Sequence, residues 1–186
     1  MASVVAFLEG RLRLRVNAQK SAVAPVWERS FLGHRLLSDG RLGLAPKSLD
    51  RAKERLRRIT RRNRGIALAR MVEEVNGFTT GWVMYFRHAA CKGALRDLDE
   101  WLRRKLRCVR LKQCKRAKPT VDFLVKCGVP VRRAWLLALS GKGWWRRSGS
   151  PPAAEAMTLR WFKALGLVSL SDHYATLQPA GNRRVR

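Results

Sequence analysis

Few side chains in this sequence are spaced for bond-making chemistry. Asp97 and Asp99 invite comparison with a two-metal site, in which carboxylates converge on one point. They stand two positions apart in a helical pattern, so they face different ways. Cys91, Cys108, Cys114 and Cys127 show no C-x-x-C spacing. With His34, His88 and His173 they form no recognisable zinc pattern, and reduced, isolated thiols are expected. The histidines have no evident nucleophile partner. Gly141-Lys142-Gly143 lacks the full G-x-x-x-x-G-K-[ST] pattern of a nucleotide-hydrolysing loop. It supports only a backbone able to approach a phosphate or sugar closely. No catalytic residue, metal site or cofactor is expected.

The side chains are better suited to holding an anion. Forty Lys or Arg face thirteen Asp or Glu, a net charge of +27, while 46% of residues are hydrophobic. A helical core wrapped in cations points to a nucleic acid. The segment 51–64 offers Arg57, Arg61, Arg62 and Arg64, with Glu54 able to pair with Arg57 or Arg58. The segment 103–118 offers Arg103, Arg104, Lys105, Arg107, Lys112, Lys115 and Arg116. Its acids, Asp97, Asp99 and Glu100, cluster ahead of the bases and do not interleave to neutralise them. A Gly-rich loop adds Lys142, Trp145 and Arg146. For Trp144 and Trp145, stacking on an unpaired base and anchoring the loop both stay open. Trp82, Tyr85 and Phe86 share one helical face and are expected mainly in the core.

These groups need elements to hold them. Residues 2–10 read as the end of a helix stopped by Gly10. Leu12, Leu14 and Val16 alternate with Arg11, Arg13 and Arg15, the period of a half-buried strand. Further short strands are expected at Val23–Val26 and Phe31–Leu37, the latter ending in the turn Ser38-Asp39-Gly40. Ser48 is the expected N-cap of a helix with Leu49, Ala52, Leu56 and Ile59 inward, broken at 62–65. A second helix is expected from Ile66 to Asn76-Gly77 and a third from Gly81-Trp82. After Gly93 the longest helix carries Leu95, Leu98, Trp101, Leu102, Leu106 and Val109 as a stripe. Short helices follow from Thr120 and Val131, then a loop over 140–150. A last helix spans about Ala153 to Leu165, and a frayed basic tail ends the chain. The longest apolar run, Ala134–Leu139, is far short of the roughly 20 residues of a membrane span, so no membrane partner is expected. A cytoplasmic protein is expected.

Taken in order, these segments resemble the C-terminal part of group II intron-encoded reverse transcriptase/maturases. Leu12 to Ser21, with its Asn17-x-x-Lys20-Ser21 turn, is similar to the late palm strand, and Phe31-Leu32-Gly33 to the element leading into the thumb. Arg62-Asn63-Arg64-Gly65, Asn76, Gly81-Trp82 and Tyr85-Phe86 resemble the maturase-specific domain. Leu98 to Arg107, Ser140 to Gly143 with Trp145, and Leu165-Gly166-Leu167 continue the match.

The resemblance implies a mainly α protein. A small β remnant of a reverse-transcriptase palm (1–45) would be followed by a helical thumb segment (46–92), a helical maturase domain (93–170) and a basic tail (171–186). It implies binding of structured group II intron RNA and help with its folding and splicing. The family's polymerase motif Tyr-x-Asp-Asp does not occur here. A fragment without polymerase activity is therefore expected, from a truncated reading frame. Alternatives are the C-terminal portion of a split RNA-directed DNA polymerase, completed by an N-terminal fragment as partner, and a decayed gene product.

Overall fold

A computed structural model describes residues 2–17, 19 and 23–178. The chain is mainly helical, with one small sheet near the N-terminus. Helix α1 (Ala2–Gly10) buries none of its residues. The Leu12–Val16 alternation does not form a strand. Arg13 adopts a φ of 52°, and the chain folds back so that Leu14 N–H donates to Leu8 C=O at 2.9 Å. Alternation alone cannot hold a strand without a neighbour to pair with. The Asn-x-x-Lys-Ser turn lies largely outside the described residues, as does the tail from 179. Val26–Glu28, at the end of the second expected strand, is a turn of 3₁₀ helix after Pro25.

The third expected strand is two. β1 (Ser30–Phe31) and β2 (His34–Leu36) form a hairpin, and β3 (Leu42–Leu44) pairs antiparallel with β2, Arg35 opposite Gly43. The hairpin turns on Leu32 and Gly33, at φ 50° and 80°. Both angles are positive, as the two-residue turns that match strand twist require. A Cβ on Gly33 would stand 2.7 Å from Ser48 Oγ and 3.1 Å from Phe86. Gly33 C=O accepts from Ser48 Oγ and from Ala45 N–H, both at 3.0 Å. The Phe-Leu-Gly element therefore fastens the sheet to the first long helix. The turn at 38–40 forms as expected, with Gly40 at φ 78°.

That helix, α2 (Pro46–Ile59), buries Ala52, Leu56 and Ile59 as expected. Its cap is Ala45, not Ser48. Pro46 in the first turn, with φ preset for a helix, moves the start upstream. α3 (Leu68–Tyr85) is continuous where two helices were expected. Gly77 and Gly81 face open space, and the buried row Met71, Val72, Val75, Thr79 and Val83 carries the helix across them. Each glycine costs about 1 kcal/mol against alanine, less than burying one such side chain contributes. α4 (Lys92–Gln113) buries Leu95, Leu98, Leu102, Leu106 and Val109 as expected, with Trp101 half-buried; Gly93 sits in its first turn.

α5 (Ala117–Lys126) starts before Thr120, whose hydroxyl donates back to Arg116 C=O at 2.8 Å. Pro119 fits in the first turn, where an N–H has no helical acceptor. α6 (Val131–Ala138) is as expected. Within the expected loop lies α7 (Trp144–Ser148). The last expected helix is two, α8 (Pro151–Ala156) and α9 (Leu159–Ala164). They part at Met157, whose C=O accepts both Arg107 Nε and Nη2 at 3.2 and 3.1 Å, and Thr158 caps α9.

Just ahead of the expected frayed end, and over the start of the segment assigned to the basic tail, α10 (Leu170–Leu177) packs on α3 and α4 and buries Leu170 and Tyr174. Asp99, only 3% exposed, accepts from Leu170 N–H, Ser171 N–H and both serine hydroxyls, of Ser169 and Ser171, at 2.8–3.0 Å. The carboxylate answers the orphan N–H groups and positive dipole end of α10. Asn76 performs the same service one step upstream. Its Nδ2 donates to Gly166 C=O at 2.7 Å and its Oδ1 accepts from Val168 N–H at 3.0 Å.

Two predictions follow from these anchors. Asp99→Ala removes a charged acceptor and strands its donors, and should lower stability by about 3 kcal/mol. Urea unfolding would report that loss, with amide exchange in 170–177 accelerating most. Gly33→Ala meets both a positive φ and a steric wall and should cost about 1–3 kcal/mol; an unfolding midpoint equal to that of the unaltered chain would refute it.

Candidate nucleic-acid interface

The C-terminal end of α2, the loop after it, the middle of α4 and the short α7 enclose a cleft of about 310 Å³. Arg57, Arg61 and Arg62 line it from α2 and the loop, Lys105 and Cys108 from α4, and Trp145 from α7. Thr60 and Asn63 complete it. Among the described residues no carboxylate lines it. Glu54 pairs with Arg57 and Arg58 at 3.5 and 3.4 Å on the exposed outer face of α2.

Internal bonds hold the loop 60–65 in place. Thr60 Oγ1 donates to Leu56 C=O at 2.7 Å. Arg64 turns inward, donating to Ile59 C=O at 2.8 Å and to both Glu74 oxygens at 2.8 and 3.0 Å. The Glu74 carboxylate raises the affinity of Arg64 for its proton, and the guanidinium holds the carboxyl of Glu74 below its ordinary range. Gly65, at φ 69°, permits the reversal into α3. Lys112 donates to Asn63 Oδ1, tying the loop to α4. Arg61 is left exposed, and Arg62 reaches toward Cys108 on the cleft wall.

Ring faces hold the other wall. The Arg104 guanidinium lies 4.2 Å from the Trp145 ring centre and donates to Trp145 C=O at 3.3 Å. Gly149 allows this, since a Cβ there would meet the guanidinium at 2.8 Å. Arg147 stacks on Trp144 at 4.5 Å and donates to Ala138 C=O. Lys105 Nζ stands 5.6 Å from both Trp101 and Trp145, and Arg57 5.8 Å from Trp101. Cations and rings thus alternate along the cleft from Arg57 to Arg104. Burial lowers the Lys105 ammonium below its ordinary pKa, and the positive charges of Arg57 and Arg62 add to that. The Cys108 thiol, 3.9 Å from Arg62 Nη1, is raised by burial. Burial pushes Cys91 up to about 11.

Of the residues singled out in sequence, Arg57, Arg61, Arg62, Lys105 and Trp145 come together in this cleft, with Arg104 behind Trp145. The others are placed elsewhere. Arg64 is an internal clamp. Arg107 is bound to Met157 C=O and lies over Phe162 at 5.7 Å. Arg103 lines a separate groove on another side of α4. Lys115, at φ 58°, and Arg116 are exposed at the turn into α5. Lys142 and Arg146 line a groove of about 490 Å³ against α6 and α8.

Sequence reading missed Asn63, Thr60 and Trp101 as cleft residues, and Arg110, which stacks on Phe123 at 4.2 Å. Asn63 sits between the two loop arginines, which was the available signal. Trp101 was read as part of the apolar stripe. Tyr85, expected in the core, is 55% exposed, and its hydroxyl donates to Leu32 C=O at 2.9 Å; Phe86 is buried as expected. Among the described residues no three His, Cys, Asp or Glu converge as metal ligands, and no helix is long and apolar enough to cross a membrane.

Residues 49–128 match the family model of the group II intron, maturase-specific domain. A search of curated proteins found none that matches the chain. The matched segment runs from the first turn of α2 through α5, and it supplies every cleft residue except Trp145. Its order of a basic helix, the Arg-Asn-Arg-Gly loop and a long basic helix is the one that carried the sequence resemblance. Over residues 49–128 the chain is similar to the group II intron maturase-specific domain, a match that supports a relation to the C-terminal part of group II intron maturases.

Proposed function

We propose that the chain binds structured group II intron RNA in the cytoplasm through this cleft, assisting its folding and splicing without polymerase chemistry of its own. One observation carries the proposal: cations from two basic segments and a tryptophan from a third converge in a cleft that no carboxylate lines among the described residues, with Arg57 alone paired, to Glu54 outside it. Crowded like charges repel, and phosphates entering the cleft relieve that repulsion while releasing counterions. Arg61 and Arg62 are placed to take phosphate oxygens in forked hydrogen bonds. Trp145, 40% exposed, stands in the same cleft and supplies an aromatic surface for a nucleobase.

If six to ten phosphates are contacted, affinity for intron RNA falls about 10³–10⁵-fold between roughly 50 and 200 mM salt. Arg61→Ala/Arg62→Ala should flatten the log–log salt slope by about 1.5–2 with an unchanged unfolding midpoint. A titration of intron RNA with little salt dependence, or a double variant with the full slope, would sink the proposal. Arg64→Ala should behave oppositely: its first effect is a lower unfolding midpoint, because it breaks the clamp to Glu74 and Ile59. Thermal melts of the two variants side by side separate contact from support.

A second reading has its own support. Trp27, Phe31 and Leu32 are 64%, 78% and 67% exposed around the hairpin, an apolar face suited to a protein partner. On that reading the chain is the C-terminal portion of an RNA-directed DNA polymerase working with a fragment that carries fingers and palm. Co-purification with such a fragment and restored primer extension would support it; extension lacking in the reconstituted pair would count against it.

A further inference from the structure

α4 is basic on more than one side. At about 100° per residue, Arg103 lies about 200° around the helix from Lys105. The helix that gives Lys105 to the cleft therefore turns Arg103 away from it. Arg103 lines a second groove, of about 660 Å³, walled by α4, α9 and the segment joining α9 to α10. Arg96, seven residues before Arg103 and so on the same side of α4, lines it too, with Arg160 and Lys163 from α9. Arg96, Arg160 and Lys163 are exposed, and none of the four cations makes a hydrogen bond or ion pair among the described residues.

Two carboxylates also belong to the groove. Asp99 has both oxygens engaged by the start of α10, and so faces the protein more than the groove. Asp172, exposed, is the one whose side chain remains open to the groove. Phe162 and Leu167 add apolar surface between the charges. Four cations, each without a carboxylate partner, in a groove with apolar surface suit a run of phosphates, as the first cleft does.

We infer that the groove of Arg96, Arg103, Arg160 and Lys163 is a second RNA-backbone site, and that the chain bridges two RNA segments across α4. The inference rests on the RNA-binding reading of the first cleft and adds a geometry to it. An α-helix with its side chains is about 10–12 Å thick, so backbones held on its two sides are brought close without merging. For a folded RNA, that is a means of pinning two helices at a fixed separation.

The test uses the full chain, a biotinylated RNA hairpin on a surface and a fluorescent copy of the same hairpin in solution. The unaltered chain should be captured by the first hairpin and then recruit the second. Arg160→Ala/Lys163→Ala should preserve capture and reduce recruitment roughly tenfold or more. Both residues are exposed and unbonded, so a thermal melt should match that of the unaltered chain.

Equal recruitment by this variant overturns the inference and leaves the first cleft as the RNA site. Capture and recruitment falling together also overturn it, since the two grooves would then hold one continuous backbone. Failure of the unaltered chain to be captured at all would instead remove the RNA-binding reading, and bridging with it.

Discussion

Forty cations cannot find partners among thirteen acids, and this shortage shapes the structure. A solvated surface can take many of them, but helices packed on one another force others into partial burial. The fold handles those with aromatic faces and carbonyl oxygens in place of carboxylates. Arg104 lies on Trp145, Arg110 on Phe123 and Arg147 on Trp144, each within 4.5 Å of the ring centre. Arg107 is held by the Met157 carbonyl and Arg147 by that of Ala138. Ring and carbonyl partners attract a cation without neutralising it. The surface so built keeps its charge while its geometry is fixed, which is what a binding site for a polyanion requires.

Several acids pair with cations at the surface, and two are placed where they organise backbone. Glu74 fixes the loop after α2 through Arg64, and Asp99 fixes the start of α10. Neither lines the cleft. Carboxylates thus support the site from behind, and the cleft itself is left to cations, a polar loop and an indole. Cys108, though at the cleft, keeps its thiol pKa raised, because burial outweighs the cationic neighbours Arg62 and Lys105 that favour its thiolate.

Much of this was legible in the sequence. The apolar stripes of α2 and α4 predicted their buried faces, because packing of one helix face is written at a spacing of three and four. The basic segments and the Gly-rich loop named five of the residues that meet in the cleft. The strand at 12–16 failed because alternation reports a face, not a neighbour to pair with. The split of α3 failed because glycine was weighed without the buried row on either side of it. α10 was missed because its strongest determinant, Asp99, lies about seventy residues earlier and was weighed as a possible catalyst and as part of an acidic helix start, not as an acceptor for a distant helix. Arg64 and Arg107 illustrate the limit for the site. Charge and spacing do not say which arginine turns inward, since that depends on acceptors supplied by remote segments.

The two inward-facing anchors, Asn76 and Asp99, have a consequence for where this protein can be cut. Both lie within the segment 49–128 that matches the maturase-specific domain, yet their partners are Gly166, Val168 and the residues 169–171. Tyr174 adds a 2.7 Å bond to Ala89 C=O, again joining the two parts. A fragment ending at 128 would take away the partners of both side chains and uncover the apolar α3 and α4 surfaces on which α10 rests. The boundary drawn by sequence similarity and the boundary of cooperative folding are therefore different lines, and the second runs on through α10.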